Sequence, residues 1–455
     1  MKKSLVSLIL VICMIAATLA GCGGAAPASS GGEAAPASES AAPSGEKILI
    51  RMIDSLAADN RTTALNKIID AYMKENPNIE IELISPPAEG SDAKILNMLN
   101  SEEQLDIIDT GNSFSSALNN GWIEPLNDYL KDWDGMNTLS DAAKGRMTCL
   151  SQDGKTQYCI PYGIYQRLLF YRTDLFEKAG ITAPELWTYD DWYEIGKKLN
   201  DPANGIYGIG FRGGSRGSNV YDNILLTFIG DDLCENENYR GFLKDGTSVY
   251  RTPEAVEALE YYKKVYEECS PSDSIAWGFA EMVQGFMSGQ CAIILQDNDV
   301  IQSCESGLDP NVWAVGNYPI GPSGYGSQPT GYGGWALTKK CEHKDEAIKF
   351  MEYLSSAENN GAFCEATGLI PIHTTTIEQN SYFSSGHYSV FNQMDETGKY
   401  RVFTSWGLGY SDIVETEDRD EYLQKYLKGE VSAEDLLDNW ASAWEAAYKE
   451  RGQLW

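Results

Sequence analysis

The segment from Asp153 to Ile181, which reads DGKTQYCIPYGIYQRLLFYRTDLFEKAGI, constrains the fold more than any other part of the chain. It begins with a turn, continues through two apolar and aromatic runs, and ends in a short amphipathic helix closed by Gly180. Pro161 has no backbone N–H, so it suits a strand edge or a crossing point and not the centre of a sheet. The segment therefore predicts that the chain leaves one domain and enters another at Ile160 and Pro161.

Stretches typical of strands and of helices alternate on the amino-terminal side of this segment. KILIRMI at 47–53 and IEIELI at 79–84 have strand patterns, and a helix is expected between them over 62–75. Such alternation predicts an α/β fold in which mostly parallel sheets are flanked by helices. The residues after Gly45 are enough for two domains of ordinary size.

Helix starts in the second half of the chain carry polar signals. Thr188 and Asp191 have the spacing of a capping box, and Thr252 precedes a proline, a residue favoured at the first helical position. Among the large aromatics, we assign Trp187, Trp440 and Trp444 to the core.

The strings GKTQYCIPYG, LLFYRTDLFEKAGI and LWTYDDW, in this order, resemble a known family. They are similar to the segment in which extracellular solute-binding proteins of ABC importers cross between lobes, in the sugar-binding group that includes maltose-binding protein. The resemblance covers nearly all of the chain after Gly45. It implies a two-lobed, periplasmic-binding-protein-like fold with three crossings at the hinge. The lobes expected from these crossings are residues 46–160 with 335–377, and residues 161–334 with 378–455.

The amino terminus has the pattern of a lipoprotein signal. Lys2 and Lys3 precede an apolar run over 5–19, and LAGC places small residues before Cys22. The run is too short to span a bilayer as a stable helix, so residues 1–21 are interpreted as a signal peptide, with an uncleaved anchor as the alternative. Cleavage would leave Cys22 as the lipid-bearing terminus at the extracellular face of the cytoplasmic membrane.

Residues 22–45 are expected to form a flexible tether. After the cysteine they are Ala, Pro, Ser, Gly and Glu, without a large apolar side chain that could build a core. The formal net charge of the chain is −31, which argues against a nucleic-acid partner and against adhesion to anionic lipid. The lipid anchor is therefore the only membrane contact that we expect.

Cysteine usage leaves two interpretations open. Ten cysteines include Cys13 and Cys22, and the remaining eight could form disulfides outside the cell, for example Cys149 with Cys159 across a turn. Free, buried cysteines are the alternative. We expect no metal site, because no Cys-x-x-Cys occurs and the three histidines lack ligand spacing, and we expect no cofactor.

Candidate ligand-binding residues lie in loops beyond the carboxyl ends of predicted strands, where open α/β sheets bind ligands. The resemblance points to the same loops and implies aromatic side chains that stack on sugars and polar ones that hold hydroxyls; Trp406 rests on the resemblance alone. The candidates are Asn60, Asp109, Asn112, Tyr162, Tyr165, Arg167, Arg212, Asp297, Asn298, Trp335 and Trp406.

Each candidate also has a structural interpretation. Tyr162 and Trp335 could pack the hinge, and Arg167 and Arg212 could form surface salt bridges. Asp297 and Asn298 could cap the next helix. The family often has a tryptophan after the strand that matches CAIIL, where this chain has QDND, so a smaller or more polar ligand is expected. Arg167, Arg212 and Arg216 leave an acidic sugar open, because guanidinium pairs with carboxylates.

Two strings match enzyme patterns. GGSRG at 213–217 has the form G-x-S-x-G of a nucleophile elbow, and GIGFRG at 208–213 has the form G-x-G-x-x-G. A glycine-rich chain produces such matches readily, so we assign no catalytic residue and interpret the first string as an open ligand loop.

The resemblance implies a lipid-anchored monomer that captures a carbohydrate, either a mono- or an oligosaccharide, and delivers it to ABC permease subunits. A ligand-sensing receptor for a membrane kinase and an anchored glycosidase or esterase are the alternatives.

Overall fold

The fold is described from a computed structural model, which covers residues 47–56, 58–87, 90–111, 113–148, 151, 153–235, 241–403 and 419–450. Within these residues, strands and helices alternate along the chain. The strands are β1 (Ile48–Ile53), β2 (Ile79–Ile84), β3 (Ile107–Asp109), β4 (Ile160–Tyr171), β5 (Tyr207–Ile209), β6 (Cys291–Asp297), β7 (Ala314–Gly316), β8 (Gly326–Leu337) and β9 (Tyr400–Phe403).

The α-helices of the described residues cover both faces of the sheets. Those before β6 are α1 (Asp59–Glu75), α2 (Ser91–Asn100), α3 (Ser113–Asn119), α4 (Asn127–Leu130), α5 (Asp141–Thr148), α6 (Thr173–Ala179), α7 (Tyr189–Leu199), α8 (Gly217–Ile229), α9 (Pro253–Cys269) and α10 (Phe279–Met287). Those after it are α11 (Val300–Gly307), α12 (Lys344–Leu354), α13 (Ala357–Thr367), α14 (Thr374–Gln379), α15 (Ser381–Ser384), α16 (Ser389–Thr397), α17 (Arg419–Leu427) and α18 (Ala433–Glu450).

Each lobe has its own group of parallel strands. In the first lobe β1 pairs in parallel with β2 and with β3. In the second lobe β5 pairs in parallel with β6. Antiparallel neighbours complete both groups, β8 beside β3 and β4 beside β6 and β7, so the sheet is mixed as a whole.

Two long strands cross from one lobe to the other. β4 and β8 pair antiparallel from Ile160 opposite Trp335 to Gln166 opposite Thr330, and the register shifts between Pro161 and Gly163. Pro161 therefore lies at an irregular point of the ladder, where its missing N–H is tolerated. A third segment passes beside them, since Ile370 and Ile164 exchange backbone hydrogen bonds of 2.9 and 3.1 Å. The predicted two-lobed α/β fold with three crossings is confirmed, while the lobe boundaries stay a prediction.

Local signals in the sequence account for two of the helix starts. Thr188 and Asp191 form the predicted capping box of α7, with bonds of 3.0 and 3.1 Å, and Thr252 caps α9 ahead of its first-turn proline. Helix α1 begins at Asp59, three residues before the predicted start. The sequence does not reveal this start, because the residue at the cap position is Ala58, whose side chain cannot accept a hydrogen bond.

Helices and sheets meet over a large apolar core. Trp187, Trp440 and Trp444 are 1, 1 and 0% exposed, so their assignment to the core is confirmed. The free-thiol interpretation is confirmed for six cysteines of the described residues, while Cys149 lies outside those residues. The six are Cys234, Cys269, Cys291, Cys304, Cys341 and Cys364. None of the described helices is both long and apolar enough to cross a membrane.

The contact between α7 and β5 depends on glycine. A Cβ atom built on Gly208 of β5 would lie 1.7 Å from the carbonyl oxygen of Gly196 in α7. This approach seats the helix directly on the strand whose carboxyl end enters the candidate site. Only a residue without a side chain permits it.

We therefore predict that Gly208→Ala lowers the free energy of unfolding by about 3 kcal/mol or more, because backbone must move to admit the methyl group. Urea denaturation of the purified chain measures the loss. Gly145→Ala is the matched control, since no atom lies within 4 Å of the place that the alanine methyl group would take at this exposed helical glycine, and the change should stabilise by roughly 0.5–1 kcal/mol. Equal effects of the two variants would contradict this account of the packing.

Candidate functional site

Strand ends from the first lobe meet beside the crossing strands. Asp54 and Ser55 follow β1, and Asp109 ends the neighbouring parallel strand β3, opposite Trp335 of β8. Asp109 is fully buried, and one of its carboxylate oxygens accepts hydrogen bonds from the Ser55 N–H at 2.9 Å and from the Ser55 hydroxyl at 2.5 Å. Burial, together with the nearby Asp54 carboxylate, raises the pKa of Asp109 to about 6.

Arg61, in the first turn of α1, is the cation beside these strand ends. We call Asp54, Ser55, Arg61 and Asp109 the first wall. It is 4% exposed, and its Nε donates to both oxygens of Asp54, at 2.9 and 2.8 Å. The guanidinium carbon lies 4.5 Å from the ring centroid of Tyr162, 5.0 Å from that of Phe363 and 5.8 Å from that of Trp335. The arginine is thus held by one buried carboxylate and three aromatic faces.

The sequence prediction selected the residue before it. Asn60 is exposed, and its side-chain amide donates to the Ala366 carbonyl at 3.0 Å. Arg61 was not among the candidates from the sequence. The signal that could have found it is that it is a basic residue directly after Asn60, in the same helix turn.

Tyr162 and Trp335 lie within the hinge itself. They are 3 and 0% exposed, and their ring centroids are 4.6 Å apart. The Tyr162 carbonyl accepts a hydrogen bond of 2.7 Å from Asn360. This placement favours their interpretation as hinge packing beneath Arg61.

A second group of charges lies on the second lobe. Arg167 of β4 is opposite Asp297 of β6 in the ladder, with 3.5 Å between its Nε and the carboxylate. Its Nη2 donates to the Asn219 side chain at 2.5 Å. Arg167 is 8% exposed, so it is a buried partner within the crevice and not a surface salt-bridge residue.

Arg212 and Asp299 belong to the same group of charges. We call Arg167, Arg212, Asp297 and Asp299 the second wall. Burial lowers the pKa of Arg212 to about 10, with the charges of Arg167 and Arg216 acting in the same direction. Burial also raises the pKa of Asp299 to about 8, and the Asp297 charge adds to that rise. Asp299 is the last residue of the QDND string that follows CAIIL, but it was not among the residues selected from the sequence.

Asn298 forms hydrogen bonds with backbone groups of the hinge. It is fully buried, its side-chain oxygen accepts from the Gln166 N–H at 2.7 Å, and its amide donates to the Gly368 carbonyl at 2.7 Å. These bonds tie β4 to the third crossing segment, so Asn298 joins the hinge strands.

Tyr165 lies between the two walls. Burial holds its pKa well above the ordinary value, Tyr162 and, on the second wall, Asp299 add to that rise, and the Arg61 charge on the first wall opposes it. The structure therefore brings Asp109, Tyr165, Arg167, Arg212 and Asp297 together at the hinge. Asn112 and Trp406 lie outside the described residues.

The serine of the first enzyme-like string has no histidine among the hydrogen-bond partners that the described residues show. The Ser215 hydroxyl accepts a hydrogen bond of 3.4 Å from Arg212. His373 contacts the Thr138 hydroxyl and the Ser355 carbonyl, and the His387 ring stacks on the Trp313 ring. The other string ends before α8, which begins at Gly217. No cluster of three metal-ligating side chains occurs in the part of the chain that the structure describes.

The chain is similar to known proteins along most of its length. A family model described as bacterial extracellular solute-binding protein matches residues 58–361. A Brucella abortus protein named as a binding protein is 24% identical over 363 residues, which cover 78% of this chain and 84% of that protein. The sn-glycerol-3-phosphate-binding periplasmic protein of Agrobacterium fabrum is 24% identical over 425 residues, which cover 86% of this chain and 91% of that protein.

A solved structure shares the fold. The GacH receptor of Streptomyces glaucescens, determined unliganded and with acarbose, superposes with a TM-score of 0.74 at 19% identity, covering 89% of this chain and 99% of that chain. At this identity the likeness concerns the two-lobed fold.

The Arg61–Asp54 pair yields a stability prediction. Arg61→Met should lower the free energy of unfolding by about 3–5 kcal/mol, because it leaves the fully buried Asp54 carboxylate without its cation. Adding Asp54→Leu should recover most of that loss, since the unpaired charge is then gone. Urea denaturation measures both.

The exposed pair of Lys47 with Glu80, 4.0 Å apart, provides the control, and Lys47→Met should change stability little. If the double variant is no more stable than Arg61→Met, the buried charge is not the reason for the loss.

Proposed function

The chain belongs to the bacterial extracellular solute-binding protein family, and from this we propose that it captures a carbohydrate between its lobes and delivers it, chemically unchanged, to an ABC permease. The ligand class is a mono- or oligosaccharide or a related polyol. The observation that carries the proposal is the pair of charge groups at the hinge, Arg61 with Asp54 and Arg167 with Asp297, which lie close to Tyr165 between the strand ends of the two lobes.

The chemistry of the walls fits a polyhydroxylated ligand. Carboxylates accept hydrogen bonds and guanidinium groups donate them, whereas a hydroxyl group does both. Asp109 and Arg61 on one side, and Asp297, Arg167 and Arg212 on the other, could therefore share a set of hydroxyls. The GacH receptor was solved with acarbose, which agrees with a carbohydrate.

The hinge supports capture by closure. Three connecting segments at one edge allow two rigid lobes to rotate through small changes in backbone angles. A ligand that contacts both walls favours the closed form by its differential affinity for that form. Binding then changes the shape that the lobes present to the permease, with no reaction at the ligand.

We further propose that diacylated Cys22 anchors the chain at the extracellular face, with residues 23–45 as a tether. Two acyl chains carry enough methylene groups for stable membrane attachment. The protein acts as a monomer beside two permease subunits driven by a cytoplasmic ATPase. These residues lie outside those that the structure describes, so the support is the sequence pattern before Cys22.

We predict that a panel of sugars and polyols contains a ligand that raises the melting temperature. At about 100 times its dissociation constant, a ligand of the native state adds about 2.7 kcal/mol of stability. Arg167→Met should abolish the shift, because it removes a cation from the second wall. Arg251→Met, at an exposed arginine paired with Asp438 and Glu445, should retain it. Recovery of a chemically altered ligand would contradict the proposal.

A separate prediction concerns the anchor. The native chain should incorporate labelled fatty acid when expressed in its host, and Cys22→Ser should abolish the label because the acceptor thiol is lost. Cys13→Ser, within the apolar signal, is the matched control and should keep it. Labelling of Cys22→Ser, or none in the native chain, would show that the protein is not anchored in this way.

A further inference from the structure

One loop of the second lobe has a strained backbone. Arg216, in the GGSRG string just before α8, has a φ of 58° and a ψ of 21°. It is the one non-glycine residue with a positive φ in the part of the chain that the structure describes. A residue with a side chain adopts this left-handed conformation at a cost in free energy, so contacts around Arg216 must hold it there.

Helix α17 supplies these contacts. One carboxylate oxygen of Asp420 accepts a hydrogen bond of 2.6 Å from the Arg216 N–H, and the other accepts one of 2.9 Å from the Ser218 N–H. The Gln424 side chain donates to the Gly213 carbonyl at 3.1 Å. Arg216 stands at the cap position of α8 without capping the helix through its own side chain. Asp420 therefore caps α8 from another helix, where a negative charge also suits the helix dipole.

Backbone packing holds the first half of the loop. The N–H groups of Gly213 and Gly214 donate to the carbonyls of Ser274 and Trp277, at 3.1 and 2.8 Å. A Cβ atom built on Gly214 would lie 2.2 Å from the Ala276 carbonyl oxygen. Close backbone packing therefore explains the first two glycines of the enzyme-like string. The loop is held by this backbone and by α17.

The loop sets the places of groups on the second wall. Arg212 directly precedes it, and a Cβ atom built on Gly217 would lie 2.6 Å from the Arg212 carbonyl oxygen. Asn219, in the first turn of α8, accepts from Arg167 at 2.5 Å. Burial is the main influence on the pKa of Arg212 and lowers it, whereas the Asp420 charge opposes that effect, so these two side chains lie near each other. A shift of the loop would therefore move Arg212 and the partner of Arg167.

Helix α17 has a buried anchor of its own. Arg419 donates to both carboxylate oxygens of Asp222 in α8, each at 2.8 Å, and to the Tyr250 hydroxyl at 3.0 Å. Its guanidinium carbon lies 4.3 Å from the Trp440 ring centroid. Arg419 and Asp222 are 3 and 0% exposed. A change at the neighbouring residue 420 therefore leaves the helix attached, and its effect should be confined to the loop.

We propose that Asp420 is a positioning residue for ligand capture, which holds the strained loop over 212–218 in the conformation that binds. Arg212 and Asn219 keep their places because this loop is held. Asp420 acts through the loop and not on the ligand itself. The inference rests on the proposed function, since it concerns how the second wall is prepared for a ligand.

Hydrogen–deuterium exchange of the full-length chain tests the holding. Asp420→Asn keeps the shape of the side chain, but its amide group is a donor and cannot accept from one of the two N–H groups. We expect the peptide over 212–218 to exchange at least tenfold faster, while β4 changes little. Glu421→Gln is the matched control, because Glu421 lies in the same helix turn and pairs with Lys425 at 2.6 Å. An unchanged loop in Asp420→Asn overturns the inference.

A second variant tests the strain. Glycine adopts the left-handed conformation readily, so Arg216→Gly should remove the cost that Asp420 offsets. Added to Asp420→Asn, it should slow the exchange of the loop several-fold, toward the native rate. Equal exchange of the single and the double variant would show that strain at Arg216 is not what Asp420 restrains, and would overturn the inference.

Calorimetric titration connects the loop with binding. Glucose, maltose and mannitol are the probes, and the melting temperature of each unliganded variant is measured beside them. A probe that binds the native chain should bind Asp420→Asn at least tenfold more weakly and Glu421→Gln with unchanged affinity.

A merely structural role would lower the melting temperature of Asp420→Asn and leave the affinity of the folded chain as it was. That result overturns the inference and leaves the proposed function standing, as does faster exchange of the loop with unchanged affinity. If no probe binds the native chain, the proposed function fails, and the exchange data decide separately whether Asp420 holds the loop.

Discussion

The antiparallel pairing of β4 with β8 is the interaction on which the rest of the structure depends. Both strands are 12 residues long. β8 pairs with β3 at one end and with β9 at the other, while β4 continues against β6 and β7. The parallel strands of the two lobes are thus attached to one hydrogen-bonded frame. The third crossing segment joins the same frame through Ile164 and Ile370.

The frame also determines where charge can be buried. Asp54, Asp109 and Arg61 meet at the first-lobe end, and Arg167, Asp297 and Asp299 meet at the second, because strand ends and crossing strands converge there. Each buried ion needs a counter-charge or several hydrogen bonds, since desolvation is costly. Arg61 has such a partner in Asp54, and Arg167 has two in Asn219 and Asp297.

Much of the fold follows from local sequence chemistry. Pro161 marks the crossing because it cannot donate in a ladder, and Thr188 with Asp191 marks a helix start because their side chains satisfy free backbone N–H groups. The strand ends could be predicted in the same way, and with them Asp109, Arg212 and Asp297, whereas Arg167 lies inside β4 and not beyond a strand end.

The individual contacts could not be predicted to the same extent. Whether Asn60 or Arg61 turns inward depends on where α1 begins, and that start has no capping side chain. Asn298 hydrogen-bonds to backbone, whereas one carboxylate oxygen of Asp299 has no hydrogen-bond partner among the described residues. This difference depends on how β6 ends against the third crossing segment.

The shared strands have a mechanical consequence. A hydrogen-bonded pair of strands resists stretching and shear, since both would break its ladder, but it twists with little loss of bonding. Torque applied to one lobe is therefore transmitted to the other through this ribbon. A force on the outer surface of either lobe can thus change the spacing of the charged groups at the hinge without touching them.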